Sequence, residues 1–114
     1  MREPLASLGA PAIQVVVSLP SEIDISNANH VGQCLTSVLR TGVSAVIADM
    51  TGTTFCDCRG VWAVLRADTR AALSGAQLRV VEGRAPVMRV FRVLGLDRCL
   101  EFFPSVPVAL GAPR

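Results

Sequence analysis

The chain has 114 residues, of which 51% are hydrophobic and 18% charged, enough for one compact core and far from the polar excess of a disordered protein. Aromatic residues make up 4% and tyrosine is absent, so that core must be aliphatic. The net charge of +2 comes from scattered arginines with no lysine, a poor electrostatic footprint for nucleic acid, and no nucleic-acid partner is expected.

Residues 1–11 carry a single arginine and an early proline, Pro4, without the continuous apolar stretch of a signal peptide. They read as a short N-terminal segment or an edge strand. No apolar run approaches the ~18 residues of a spanning helix, so no membrane partner is expected and the cytoplasm is the expected compartment. The four cysteines, Cys34, Cys56, Cys58 and Cys99, then read as thiols rather than as a disulfide framework. Their spacing fits neither a CxxC redox motif nor a zinc knuckle. A zinc site would have to combine Cys56, Cys58 and His30, and neither metal nor cofactor is expected.

Residues 13–19 (I-Q-V-V-V-S-L) form a β-branched run followed by Pro20-Ser21, which predicts a strand and a turn. Asp24, Ser26 and Asn27 supply helix N-cap candidates, and Ala28, Val31, Leu35, Val38 and Leu39 make a helical stripe that Gly42 should stop. Cys34, at the edge of that stripe, reads as a small buried hydrophobe. Residues 43–48 (V-S-A-V-I-A) alternate little, which suits a strand covered on both faces. After the polar loop at residues 49–54, a second helix is predicted from about Cys58 to Leu73, with Val61, Val64, Leu65 and Ala72 inward and Ser74-Gly75 at its end. Another strand follows at residues 78–81. Pro86 then starts a third helix with Val87, Val90, Phe91 and Leu94 on its stripe and Gly95 as its cap. A last short strand is expected near residues 100–103, and the proline-rich tail at 104–114 reads as loose. Strand and helix alternating through short connections predict an α/β domain over residues 12–103, with a mostly parallel sheet of four to five strands and three to four helices.

In such a sheet, function gathers at the carboxyl ends of the strands. Two segments should meet there, residues 20–27 and 49–60. They hold Asp24, Ser26, Asn27, Thr51, Thr53, Thr54, Cys56, Asp57, Cys58 and Arg59, a dense set of polar and reactive groups for so apolar a sequence.

Three stretches in order, L-P-S-E-I-D at residues 19–24, A-D-M-T-G-T-T-F-C-D-C-R-G-V at 48–61 and V-L-G-L-D at 93–97, resemble the STAS domain family, and within it the bacterial anti-sigma factor antagonists. Their pattern runs L-P-G-E-L-D, then a strand ending in D-L-S, then F-x-D-S-S-G-L, and finally a late G-L-D. The resemblance implies a binding protein and not an enzyme. Its partner would be an anti-sigma factor with a kinase-like ATP-binding fold, which on being bound releases a sigma factor. It also implies that the first serine of D-S-S-G is a regulatory phosphorylation site, with Asp24 and Asp57 at the acidic positions around it. A phosphate there would sit at a helix N-terminus, tolerated by the helix but repelled by an acidic partner surface.

Here Cys58 stands at the serine position and Arg59 at the next, while Ser21 replaces the glycine of L-P-G-E. A serine kinase has no substrate at Cys58. Three readings follow: an inert replacement, a redox switch, or transfer of phosphorylation to Thr51, Thr53 or Thr54. A thiol at a helix start beside an arginine is where thiolate is expected. Cys56 would be a strained disulfide partner for it, so a mixed disulfide or an oxidised homodimer is the easier product. Trp62, one turn on, reads either as a wedge over the core margin or as an exposed anchor for a partner. His30 reads as a solvated or capping histidine. The C-x5-R spacing of a cysteine phosphatase is absent, because Val64 and Trp62 stand where the arginine would be. The docking surface is therefore predicted at Asp24, Ser26, Asn27, Thr53, Asp57, Cys58, Arg59 and Trp62. A thiol-based redox sensor and a subunit of a signalling scaffold remain the alternatives on the same fold.

Overall fold

A computed structural model describes residues 12–113. The expected edge strand within residues 1–11 lies outside the described residues. Strand β1 (Ile13–Ser18) alternates half-buried and exposed residues, the pattern of a strand at a sheet margin. Strand β3 (Val43–Asp49) is buried almost throughout, and β5 (Gln77–Val81) nearly so. With β6 (Glu101–Phe103) they form one sheet in the order β1-β3-β5-β6, every neighbouring pair parallel. Each pairing therefore needs a crossover, and helices α1 (Ala28–Thr36), α2 (Cys58–Leu73) and α3 (Ala85–Val93) supply them. The fold is α/β, as the alternation of elements predicts.

The larger core lies under these helices. Val31 and Leu35 of α1, Val61, Val64 and Ala67 of α2, and Val87 and Phe91 of α3 meet Val46, Ala48, Leu78 and Val80 of the sheet. Phe91 packs edge-on against Phe102, with ring centroids 5.4 Å apart. Helix α2 matches its predicted bounds, but its inward face ends on Ala71; Ala72 is exposed. Gly75 and Gly95, at φ 77° and 76°, take the left-handed conformation that closes α2 and α3.

Two expectations are corrected. Helix α1 stops at Thr36 rather than continuing to Gly42. The Thr36 hydroxyl donates back to the Gly32 carbonyl at 3.0 Å, and that of Ser37 to the Cys34 carbonyl at 3.2 Å, bonds that compete with continued helix. Val38 and Leu39 still pack on the core, but from the turn that follows. The tail after Pro104 is not loose. It leads from β6 into α4 (Val106–Gly111), where Ser105 caps the helix by accepting from the Val108 amide and Pro107 sits in the first turn, which needs no amide donor. Ala109 of α4 is fully buried against Ala45, Ile47 and Val81 on the sheet's second face.

Two further strands, β2 (Glu22–Ile23) and β4 (Phe55–Cys56), pair in parallel as a small separate ladder. They lie within the loops that leave β1 and β3, and they set the geometry of those loops.

Candidate functional site

The loops at the carboxyl ends of β1 and β3 are laced together by backbone. The Thr54 and Phe55 amides both donate to the Ser21 carbonyl, at 2.7 and 3.2 Å, and the Asp57 amide donates to Ile23 at 3.1 Å. Thr53 completes the lacing: its hydroxyl donates to the Pro20 carbonyl at 2.9 Å, and the residue is wholly buried. Thr53 is thus a strut between the two loops. The expectation that it contacts a partner or accepts phosphate is corrected, because its hydroxyl is enclosed and already committed. Thr51 and Thr54 are exposed.

The first loop closes on itself. The Asp24 carboxylate accepts from the Ser26 hydroxyl at 2.5 Å and from the Ser26 amide at 2.9 Å, and these bonds hold its pKa below the ordinary value. Asn27 does not cap α1 with its side chain. It accepts from the Asp24 amide at 3.0 Å and donates to the Glu22 carbonyl at 2.8 Å, which fixes the turn between β2 and α1.

Asp57 caps α2. Its carboxylate accepts from the amides of Arg59 and Gly60 at 3.0 and 3.1 Å, so these first-turn donors are occupied from within the protein. Cys58 opens the helix and is exposed, as is Arg59. Cys56, two residues earlier, points the other way. It is buried, and burial together with the charge of Asp57 and the neighbouring Cys58 pushes its thiol up to about 12. The expectation of a regulatory Cys56 is corrected: a thiol that stays protonated and enclosed is no nucleophile at neutral pH. Gly60 explains how tightly α2 seats here. A Cβ at this position would meet Cys56 Sγ and Ile23 Cγ2, each at 2.6 Å.

Around these polar loops stand three exposed apolar side chains: Ile25 at 67%, Phe55 at 51% and Trp62 at 42% exposure. Sequence reasoning points to Trp62 and misses Ile25 and Phe55, although each is a large apolar residue in a polar loop, which is the available signal. Beside them Cys58 lines a cleft of about 350 Å³ with Pro86, Arg89, Val90, Val93 and Leu94 of α3 and the turn after it. No residue of α3 is expected at the site from the sequence. Helix phase is the signal there: Val93 falls off the core stripe and is exposed. Among the described residues no three His, Cys, Asp or Glu side chains gather as metal ligands, and the His30 Nε2 lies 3.6 Å from the half-buried Cys34 thiol. Among the described residues, no helix is long and apolar enough to cross a membrane.

The model of the STAS domain family matches residues 7–109. The chain belongs to the STAS domain family. A Mycobacterium tuberculosis protein carrying the provisional name of anti-anti-sigma factor is 32% identical over 100 residues, which span 85% of this chain and 67% of that protein. The crystal structure of an anti-sigma factor antagonist from Mycobacterium paratuberculosis superposes with a TM-score of 0.72 at 25% identity, covering 83% of this chain and 80% of that one. The unphosphorylated Bacillus antagonist SpoIIAA also superposes at 0.72, with 19% identity and 88% and 87% covered, a likeness of fold. The motifs at residues 19–24, 48–61 and 93–97 thus lie within a STAS domain whose strand-end loops build the exposed surface just described.

Proposed function

We propose that this STAS domain is an anti-sigma factor antagonist: it binds an anti-sigma factor of kinase-like ATP-binding fold in the cytoplasm and so frees a sigma factor for transcription. The observation that carries this reading is that Ile25 and Phe55, within the segments that hold the family's motifs, and Trp62, just beyond them on α2, are large, apolar and exposed. Large exposed apolar groups ringed by polar ones are the makings of an interface, with aromatics as its anchors. The names of the relatives support the same reading. Docking would use Asp24, Ser26 and Asn27 on one loop, and Asp57 with Cys58, Arg59 and Trp62 of the α2 start that it caps. The domain acts by occupying its partner, not by catalysis.

Cys58 sets the regulation apart. With no hydroxyl at the serine position, a phosphate has no attachment point there, and Asp57 already holds the amides of Arg59 and Gly60. The antagonist is then one that a serine kinase does not switch off at this position. A second reading is favoured by the exposure of Cys58 beside the α3 cleft: a thiol sensor whose oxidised form is a homodimer or a mixed disulfide.

Affinity capture from the native cell extract under reducing conditions tests the main reading, with the native protein and a Phe55→Ala/Trp62→Ala variant as baits. The expected result is recovery by the native bait alone of a protein with a histidine-kinase-like ATP-binding fold. Equal recovery by both baits, or none by either, overturns it. Dimers that form through Cys58 on oxidation, in a protein that captures nothing when reduced, favour the sensor.

A further inference from the structure

Away from the strand-end loops, a groove of about 470 Å³ opens along the seam between α1 and α2. Small residues make room for it. Gly32 faces Ala63, where an added Cβ would lie 3.8 Å from that of Ala63, and Ala67 follows one turn later. On the α2 side the groove is lined by Arg66 and Arg70, and on the α1 side by Asn29 and Gln33. Each pair is spaced i, i+4, so its members stand one above the other on one helix face.

The charge arrangement leaves room for an anionic occupant. Two arginines four apart on a helix repel, and no acidic residue lines the groove to offset them. Among the described residues neither guanidinium has an ion pair or hydrogen bond, and neither carboxamide side chain has a partner. The two threonines at the rim are different: Thr36 and Thr69 donate to the Gly32 and Leu65 carbonyls of their own helices. The free donors are therefore two guanidinium forks and two amides, all lining one concavity.

We infer that this groove binds a phosphate-bearing small molecule, with the phosphate held between Arg66 and Arg70 and the polar remainder met by Asn29 and Gln33. A phosphate dianion has three acceptor oxygens and charge enough for two planar forks, whereas a single carboxylate would leave one guanidinium unmatched. The volume lies in the range of small-ligand pockets, on the order of 300–1,000 Å³. No apolar residue larger than alanine lines the groove, so it offers no pocket for the bulky anchor a protein partner inserts. It is distinct in place and in chemistry from the Ile25, Phe55 and Trp62 surface.

The test is a titration of the isotope-labelled protein with inorganic pyrophosphate at constant ionic strength, followed by backbone amide NMR. Saturable shifts are expected at Gly32, Ala63 and Ala67. The Arg66→Ala/Arg70→Ala variant should weaken binding by about tenfold or more, since it removes both charge-assisted forks, while Arg98→Ala leaves it unchanged. Both arginines are exposed, so the double variant should melt with the native protein, and its loss of binding is then not a loss of fold. Shifts that never saturate, shifts centred on residues 57–60, or equal affinity in the double variant would each overturn the assignment.

Discussion

Cys56 and Cys58 stand two positions apart, yet their surroundings give them opposite chemistry. The Cys58 thiol meets solvent at the start of α2, while that of Cys56 is enclosed between β2 and α2. An alkylating reagent at pH 8 should therefore label Cys58 and Cys99 promptly and leave Cys56 unmodified until the protein unfolds, as peptide mapping by mass spectrometry would read. Equal labelling of Cys56 would show that the loop opens on its own. A pH dependence follows with a definite sign. The folded state holds the Cys56 proton up to about 12, whereas the unfolded protein releases it from the ordinary value of 9.0. The unfolded state thus binds fewer protons above that value, so stability is unaffected below it and falls as pH rises from 9.0 towards 12. Cys56→Ala should flatten that alkaline slope in denaturant titrations. Residue type alone could not separate the two cysteines, nor could it place Thr53. A threonine in a polar loop reads as exposed unless one knows that its hydroxyl meets a carbonyl 33 positions away.

At the scale of elements, the α2 start depends on the absence of one carbon. Gly60→Ala would drive a Cβ to within 2.6 Å of both Cys56 Sγ and Ile23 Cγ2, so β2, β4 and α2 cannot keep their present approach. Strain of this kind should cost about 2 kcal/mol in chemical denaturation. It should also move the Phe55 and Trp62 surface, so that partner capture weakens more than stability alone accounts for. An unchanged melting curve together with full capture would show that the seat is loose. The long elements were legible because periodicity over many residues outvotes local noise: α2 and α3 show a helical stripe, and β3 an unbroken apolar run. The pair β2 and β4 was not legible. Two residues carry no alternation, and only the parallel register of Glu22 with Phe55 and Ile23 with Cys56 defines them. The early end of α1 was hidden likewise, since Val38 and Leu39 keep core positions although the helix has ended. The site was half legible on the same grounds: the motifs located both loops, but not which side chains those loops turn outward.

Across the whole molecule, the sheet separates two layers of unequal size, a broad core under α1, α2 and α3 and a small one under α4. Pro107 hid the second layer from the sequence, because proline signals a break unless a capping serine places it in the first turn. Arg79 holds this layer in place. It is 4% exposed, and its guanidinium donates to the Ala109 carbonyl at 2.8 Å, to Gln14 at 3.2 Å and to Gln77 at 2.8 Å. Arg79→Met should cost roughly 1–3 kcal/mol, by leaving the Ala109 carbonyl without its donor. Amide hydrogen exchange across residues 106–111 should rise before that of α2 does. If it does not, apolar contact through Ala109 is sufficient to hold α4. Gln14 also donates to the Leu110 carbonyl, so side chains and carbonyls 96 positions apart share one polar cluster. During synthesis this cluster cannot assemble until Leu110 has left the ribosome, whereas β1, β3 and β5 have emerged well before. A nascent polypeptide released short of Leu110 would carry a cationic side chain beside an uncovered apolar sheet face. The last helix to be made is thus the one that satisfies the buried charge of a strand made some thirty residues earlier.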